Sequence, residues 1–266
     1  HATQTQLDHD QRPLYPGEDN GKKVAIIGAG PSGISCAIYL RRLGYAVTIF
    51  EKRSIPGGLN SFGVAEYKMD QKTSLNELKL LFQMGCTLVT NTEIGRDIMP
   101  GSLRNDFDAL YIGAGLTTSR KLAIPGESLP NVWDALSFIE RIKSHDQSLT
   151  AANAVTVVIG GGNTAIDAAI HSRRLGTAEV IVAYRGERKD MGAYESEIRL
   201  AQSHGVQFKF NVTPTRILGR EHITGLELKP TKVENNPIRS LPETFVISCD
   251  RVIKAIGQHK NTMWQE

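Results

Sequence analysis

The sequence contains no Cys-x-x-Cys pair, no apolar run of membrane-spanning length and no block of like charge. Each absence excludes something. Its three cysteines, Cys36, Cys86 and Cys249, are odd in number and far apart, which argues against a disulfide scaffold, a chain-borne zinc or iron–sulfur site and a dithiol redox centre. They read as buried packing residues. A spanning helix needs about 20 consecutive apolar residues, and the polar opening HATQTQLDHDQ is unlike a secretory signal, so a cytoplasmic chain with no membrane partner is expected. A net charge of +3, spread over interspersed Lys, Arg, Asp and Glu, offers nucleic acid no basic face. The histidines lack metal-ligand spacing, so no metal site is expected, and they are read as solvated residues of loops or helix ends.

What is present is organised around residues 24–53, VAIIGAGPSGISCAIYLRRLGYAVTIFEKR. Val24 to Ile27 is wholly apolar, as in a buried parallel strand, and runs into Gly28-Ala29-Gly30-Pro31-Ser32-Gly33, the GxGxxG spacing. Gly28 permits a sharp turn, Gly30 leaves no side chain between the backbone and an approaching pyrophosphate, and Gly33 lets the next helix pack on the sheet. That helix, with Pro31 suited to its first turn, offers free N–H groups and a positive dipole end to phosphates. It runs to a capping Gly44, and Val47 to Phe50 make the next strand. Glu51 closes that strand about 20 residues past the glycines, where an acid accepts hydrogen bonds from an adenosine ribose. Strand, glycine turn, helix, strand and acid together specify a dinucleotide-binding unit.

The 266 residues are enough for two such domains. Residues 1–21 read as a tail or linker arriving from upstream. After Glu51, Lys52 leads into a loop whose Gly57 and Gly58 permit close backbone approach to a ligand, followed by Leu59. Residues 71–84 are expected to form one helix with Leu75, Leu78, Leu81 and Phe82 on a single face. Asp108 to Gly115 is an apolar strand ending in Gly113 and Gly115, another place where a backbone comes close to something. Pro125-Gly126 marks a crossing between domains, the first over residues 22–124 and the second over 125–258.

Past the crossing the opening pattern recurs. A shift of 132 positions lays Gly28, Gly30, Gly33 and Arg41 to Gly44 on Gly160, Gly162, Ala165 and Arg173 to Gly176. Asn163 and Thr164 stand at the start of the second helix. The copies differ at the end of their second strands, where Glu51 is answered by Tyr184-Arg185-Gly186-Glu187-Arg188-Lys189. An acid repels a 2′-phosphate and an arginine pairs with it, so the second site should prefer NADPH. One charge-assisted contact is worth about 1.5–3 kcal/mol, or roughly 10- to 100-fold over NADH. Residues 206–256 read as short strands, a small meander appended to the second unit, within which Asp250 to Gly257 repeats the Asp108 to Gly115 pattern. Asp167, Glu195 and Lys68 are polar residues near the expected sites to which no chemistry is assigned.

The motifs VAIIGAGPSG, EKRSIPGGLNSFGVAEYKM, VIGGGNTAIDAA, AYRGER and VIKAIGQH, in that order, resemble the flavin-dependent pyridine-nucleotide disulfide-reductase superfamily. More narrowly they resemble the glutamate synthase small-subunit family and, equally, the flavin and NADPH domains of dihydropyrimidine dehydrogenase, over about residues 22 to 260. The resemblance implies an α/β fold of two tandem Rossmann-like domains, each with a small meander or insertion. It implies FAD on the first copy, with Gly28, Gly30, Ser32 and Gly33 at the pyrophosphate, Glu51 at the ribose, and Gly58, Leu59 and Gly115 bordering the flavin. NADPH is implied on the second through Gly162, Asn163, Thr164, Arg185 and Arg188. Family members return to the first domain beyond the Gly257 position, so residues 259–266 are expected to begin that return. The activity implied is hydride transfer from NADPH to FAD, with electrons passed to a partner subunit or iron–sulfur domain and no catalytic side chain required. An NADH-preferring form and a nucleotide-binding or assembly module without turnover are the alternatives.

Overall fold

A computed structural model describes residues 14–116, 119–149, 153–233, 238–240 and 242–259. They fall into two compact units, one before residue 117 and one from residue 119 to 259. Residues 119–124 belong to the second, so the change of unit lies a few residues ahead of the Pro125-Gly126 pair.

The first unit is a parallel sheet of β1 (Lys23–Ile27), β2 (Ala46–Phe50), β3 (Thr87–Val89) and β4 (Ala109–Ile112), in the order β3-β2-β1-β4. Helix α1 (Pro31–Arg42) connects β1 to β2; α2 (Leu59–Phe62), α3 (Gln71–Glu77) and α4 (Lys79–Gln83) form an insertion before β3; α5 (Pro100–Asp106) precedes β4. Both faces of β1 are covered. Val24 and Ile26 pack with Ala37, Ile49 and Leu81, while Ala25 and Ile27 pack with Phe50, Ile94 and Leu103. This is why the strand is apolar throughout instead of alternating.

The second unit repeats the plan. Strands β5 (Val132–Asp134), β6 (Val155–Ile159), β7 (Glu179–Ala183), β8 (Gln207–Lys209) and a final strand, Arg251–Lys254, are parallel, with the final strand between β5 and β6. Helices α6 (Ala135–Lys143), α7 (Asn163–Arg174) and α8 (Glu195–Ser203) connect them. An antiparallel sheet of β9 (Val212–Gly219), β10 (Ile223–Val233), β11 (Ile238–Ser240) and β12 (Phe245–Ile247) is inserted before that final strand, β13. Its Ile217, Leu226 and Leu228 join Val157, Ile159, Ile181 and Val252 in one core.

The repetition extends to side chains. Arg41 Nε donates to the Met84 carbonyl at 2.8 Å and its Nη1 to the Tyr45 carbonyl at 2.7 Å. Arg173 does the same with His204 at 3.0 Å and Thr177 at 2.6 Å. Asp108 accepts the Lys23 N–H at 2.7 Å, and Asp250 accepts the Val155 N–H at 2.8 Å. Two fork-shaped donors and two carboxylates thus pin equivalent helix ends and strand starts.

Several expectations are corrected. Residues 14–21 are no free tail: the Gly17 N–H donates to the Arg41 carbonyl and Asn20 donates to the carbonyls of Gly44 and Leu43, satisfying the end of α1. Residues 1–13 and 260–266, the rest of the expected tail and return, lie outside the described residues. The helix over residues 71–84 is interrupted at Leu78; Leu78 and Leu81 are buried, but Phe82 is 59% exposed. The meander is not a simple appendage, because β8 and β13 belong to the parallel sheet and β9 to β12 lie between them. His171 is buried in α7, which packs against both α6 and α8, so a helix with Ala165 through Ser172 all buried has no solvated face for it. Cys86 and Cys249 are buried and Cys36 is half-buried; burial raises all three thiols, Cys86 to about 11 and Cys249 to about 12, so they stay protonated near neutrality.

Candidate functional site

Each parallel sheet ends in a glycine turn. In the first unit, Gly28 takes φ +100°, and a Cβ there would lie 2.6 Å from the Gly113 carbonyl oxygen. A Cβ on Gly33 would lie 2.0 Å from the Gly28 carbonyl oxygen. These two glycines serve close packing, as does Gly113, whose Cβ would crowd Gly33. Gly30 differs: its Cβ would meet only Gly58 Cα, at 4.0 Å. The space above it is open to a pyrophosphate, beside the first-turn N–H groups of Ser32 and Gly33, which have no carbonyl to bond within α1. Pro31 sits at the start of that helix and gives up no useful donor.

The loop after β2 closes over this turn. The Gly57 N–H donates to the Ala29 carbonyl at 2.8 Å, and Gly58, at φ +56°, brings its backbone against Gly30. Glu51 is 7% exposed, its Oε2 accepting from the Ala29 N–H at 2.8 Å and its Oε1 from the Arg53 N–H at 2.9 Å. Each oxygen keeps a second lone pair for a ribose hydroxyl. Ser32 Oγ lies 2.6 Å from the Tyr111 hydroxyl, a contact no sequence spacing announces. Gly115, at φ +68° with nothing within 4 Å of a Cβ, and exposed Lys52 and Leu59 flank the site.

The second turn has the same construction. Gly160 packs against Ala255, Gly161 lies beneath the Tyr184 ring, and Gly162 is open, with nothing within 4 Å of a Cβ. Ala165, fully buried, takes the place of the third glycine. The Ala193 N–H donates to the Gly161 carbonyl at 3.0 Å, as Gly57 does to Ala29, and Asn163 Oδ1 accepts the Tyr194 N–H at 2.9 Å. A cavity of 220 Å³ opens there, lined by Ser119, Leu136, Gly162, Thr164, Lys254 and Gly257.

Lys254, at the end of β13, was not singled out from sequence. Its Nζ donates to Glu127 Oε1 at 2.8 Å and lies 3.4 Å from Asp134 Oδ1. Glu127 also accepts the N–H groups of Leu122 and Ala123. Burial pushes the Glu127 carboxyl up, but Lys254 and those N–H groups outweigh it and hold it below its ordinary value. Burial likewise lowers Lys254, and the two carboxylates outweigh it and raise it.

Beyond β7, Arg185 is exposed, Arg188 is bonded to Glu195, and Lys189 pairs with Glu187. Among the described residues, no helix is long and apolar enough to cross a membrane, and no group of three or more His, Cys, Asp or Glu is placed to hold a metal ion.

Two parallel sheets, β3-β2-β1-β4 and the matching run β8-β7-β6-β13 with β5 added beyond β13, each with an open glycine turn at a helix N-terminus, define a tandem dinucleotide-binding protein. The chain belongs to the pyridine nucleotide-disulphide oxidoreductase family, whose description matches residues 2–94 and again residues 22–266. It is 34% identical over 253 residues to the NADP(+)-dependent formate dehydrogenase subunit beta of Moorella thermoacetica, covering 90% of this chain and 35% of that one. It is 31% identical over 271 residues to the Escherichia coli glutamate synthase [NADPH] small chain, covering 95% and 57% respectively. The chain thus spans little more than half, or less, of the length of these relatives. Mycobacterium tuberculosis FprA, solved in complex with NADPH, shares the fold: TM-score 0.77 at 22% identity, covering 89% of this chain and 71% of that one.

Proposed function

We propose that this chain holds FAD on its first unit and NADPH on its second, and serves as the electron-input portion of an oxidoreductase that delivers electrons to a partner subunit or iron–sulfur domain. The observation that carries the reading is the contrast between the two turns: a buried acid, Glu51, closes the first, and guanidinium groups follow the second. Bound there, NADPH would supply a hydride and FAD would be its acceptor. The chain's residues bind and orient. The backbone at Gly30, Ser32 and Gly33 takes one pyrophosphate, and Gly162, Asn163 and Thr164 the other. Glu51 takes the flavin nucleotide's ribose, and Arg185 with Arg188 takes the 2′-phosphate. The names of the formate dehydrogenase and glutamate synthase relatives, both NADP-linked, support the choice of NADPH.

The test is an anaerobic visible spectrum of the purified chain with added FAD, titrated with NADPH and then with NADH. Bleaching of the flavin band at lower NADPH than NADH is expected. Bleaching at lower NADH than NADPH would leave an NADH-preferring enzyme, and no flavin band with no bleaching would leave a nucleotide-binding module without turnover.

A further inference from the structure

Arg188 already has an anion. Its Nη2 donates to Glu195 Oε1 at 2.8 Å and to Gln202 Oε1 at 3.2 Å, and Arg199 Nε donates to the same Glu195 oxygen at 3.0 Å. Glu195, Arg199 and Gln202 share one face of α8 by their i, i+4, i+7 spacing, and Arg188 lies along it. The turn that carries Arg188 is stiff. Glu187 and Asp190 close a reciprocal capping box, and the Tyr184 hydroxyl donates to the Asp190 carbonyl at 2.6 Å. Arg185, three residues earlier, is exposed, and among the described residues its guanidinium has no ion-pair partner.

We propose that Glu195 tunes specificity in the second site: its carboxylate occupies Arg188 when no ligand is bound and competes for it with a 2′-phosphate, weakening 2′-phosphorylated adenine nucleotides and leaving unphosphorylated ones untouched. The inference rests on the assignment of Arg185 and Arg188 to a 2′-phosphate. The Arg188–Glu195 pair is 39% and 52% exposed, so solvent screens it and it is weak. A phosphate dianion brings more charge and three acceptor oxygens that match a guanidinium fork, and it displaces the carboxylate. A ribose 2′-hydroxyl carries no charge and leaves the pair in place. Arg199 makes the exchange cheap, because Glu195 keeps a guanidinium partner after Arg188 turns to the phosphate. Hydrogen bonds from Arg188 and Arg199 hold the Glu195 carboxyl below its ordinary value, so the competing charge persists across the neutral range.

The experiment is calorimetric titration of the chain and its Glu195→Gln variant with 2′,5′-ADP and with 5′-AMP, which lacks the 2′-phosphate. Glu195→Gln should bind 2′,5′-ADP about two- to five-fold tighter, bind 5′-AMP unchanged, and lose the gain in about 0.5 M salt. Unchanged or weaker 2′,5′-ADP binding by Glu195→Gln overturns the proposal and makes Glu195 a bystander or a support for Arg188. The double variant Arg185→Ala/Arg188→Ala, titrated alongside, separates the two assignments: preference for 2′,5′-ADP that survives in it removes the 2′-phosphate site itself, whatever Glu195→Gln does.

Discussion

Glu51 Oε2 accepts the Ala29 N–H at 2.8 Å, so the acid that closes β2 is tied to the turn that closes β1 before any nucleotide arrives. Ala29 is fully buried. Removing the carboxylate strands that N–H, at a cost of about 1–3 kcal/mol. Glu51→Ala should lose that much stability in urea unfolding without added FAD, and Glu51→Gln, which keeps an acceptor oxygen, should lose less. Parent-like stability in both would make Glu51 a ligand contact alone.

The glycines of the two turns should separate folding from binding. A Cβ on Gly33 meets the Gly28 carbonyl oxygen at 2.0 Å, whereas one on Gly162 meets nothing within 4 Å. Gly33→Ala is expected to unfold the first unit or expand it, read by circular dichroism and proteolysis. Gly162→Ala should fold normally and bind NADPH at least about tenfold more weakly, because its methyl group fills the space a pyrophosphate needs. Tight binding by Gly162→Ala would move the phosphate elsewhere.

How much of this was legible in the sequence depends on what enforces each feature. Val24–Ile27 and Val155–Ile159 could be read because a strand buried on both faces is apolar or β-branched along its whole length, and Gly28, Gly33 and Gly160 because their turns leave no room for a side chain. Placing β13 was harder. It follows the meander in the chain yet pairs with β6, far earlier, and only the repeated Asp-to-glycine pattern hinted at that partner. His171 was misread because polarity argues for solvent, while burial is set by neighbours that the residue does not choose. Tyr111 with Ser32 and Lys254 with Glu127 are 79 and 127 residues apart, and no local spacing encodes such contacts. Glu195 stood out only as a polar residue; its bond to Arg188 depends on where α8 lands.

The Glu127–Lys254 pair should give the second unit a defined acid limit. The side chains are only 16% and 11% exposed, so breaking the pair should cost roughly 2–4 kcal/mol. Glu127 titrates below its ordinary 4.5 in the folded chain, so its contribution is full above that value and is lost as pH falls through the lower, folded one. Lys254 has the opposite sign, its contribution full below 10.5 and lost as pH rises through its raised value. The stability gap between the parent and Glu127→Gln, from denaturant curves at a series of pH values, should be widest near neutrality and close as pH falls below 4.5 and through the lowered, folded value. A gap independent of pH would mean that Glu127 acts through its backbone contacts to Leu122 and Ala123 and not through its charge.

Arg185 carries the sharpest test of cofactor choice, because among the described residues nothing in its own unit competes for its guanidinium as Glu195 does for that of Arg188. Its removal costs no ion pair among the described residues, and the fold should be indifferent to it. A 2′-phosphate that loses this partner loses a charge-assisted contact of about 1.5–3 kcal/mol. Arg185→Ala should therefore raise the KM for NADPH by roughly 10- to 100-fold and leave that for NADH within about twofold, with kcat little changed because the lost contact is remote from the nicotinamide. Arg185→Lys should recover only part of the loss, since an ammonium keeps the charge and lacks the fork. Equal change in both KM values would place the 2′-phosphate away from Arg185, and Arg188, released from Glu195, would be the cation that remains to receive it.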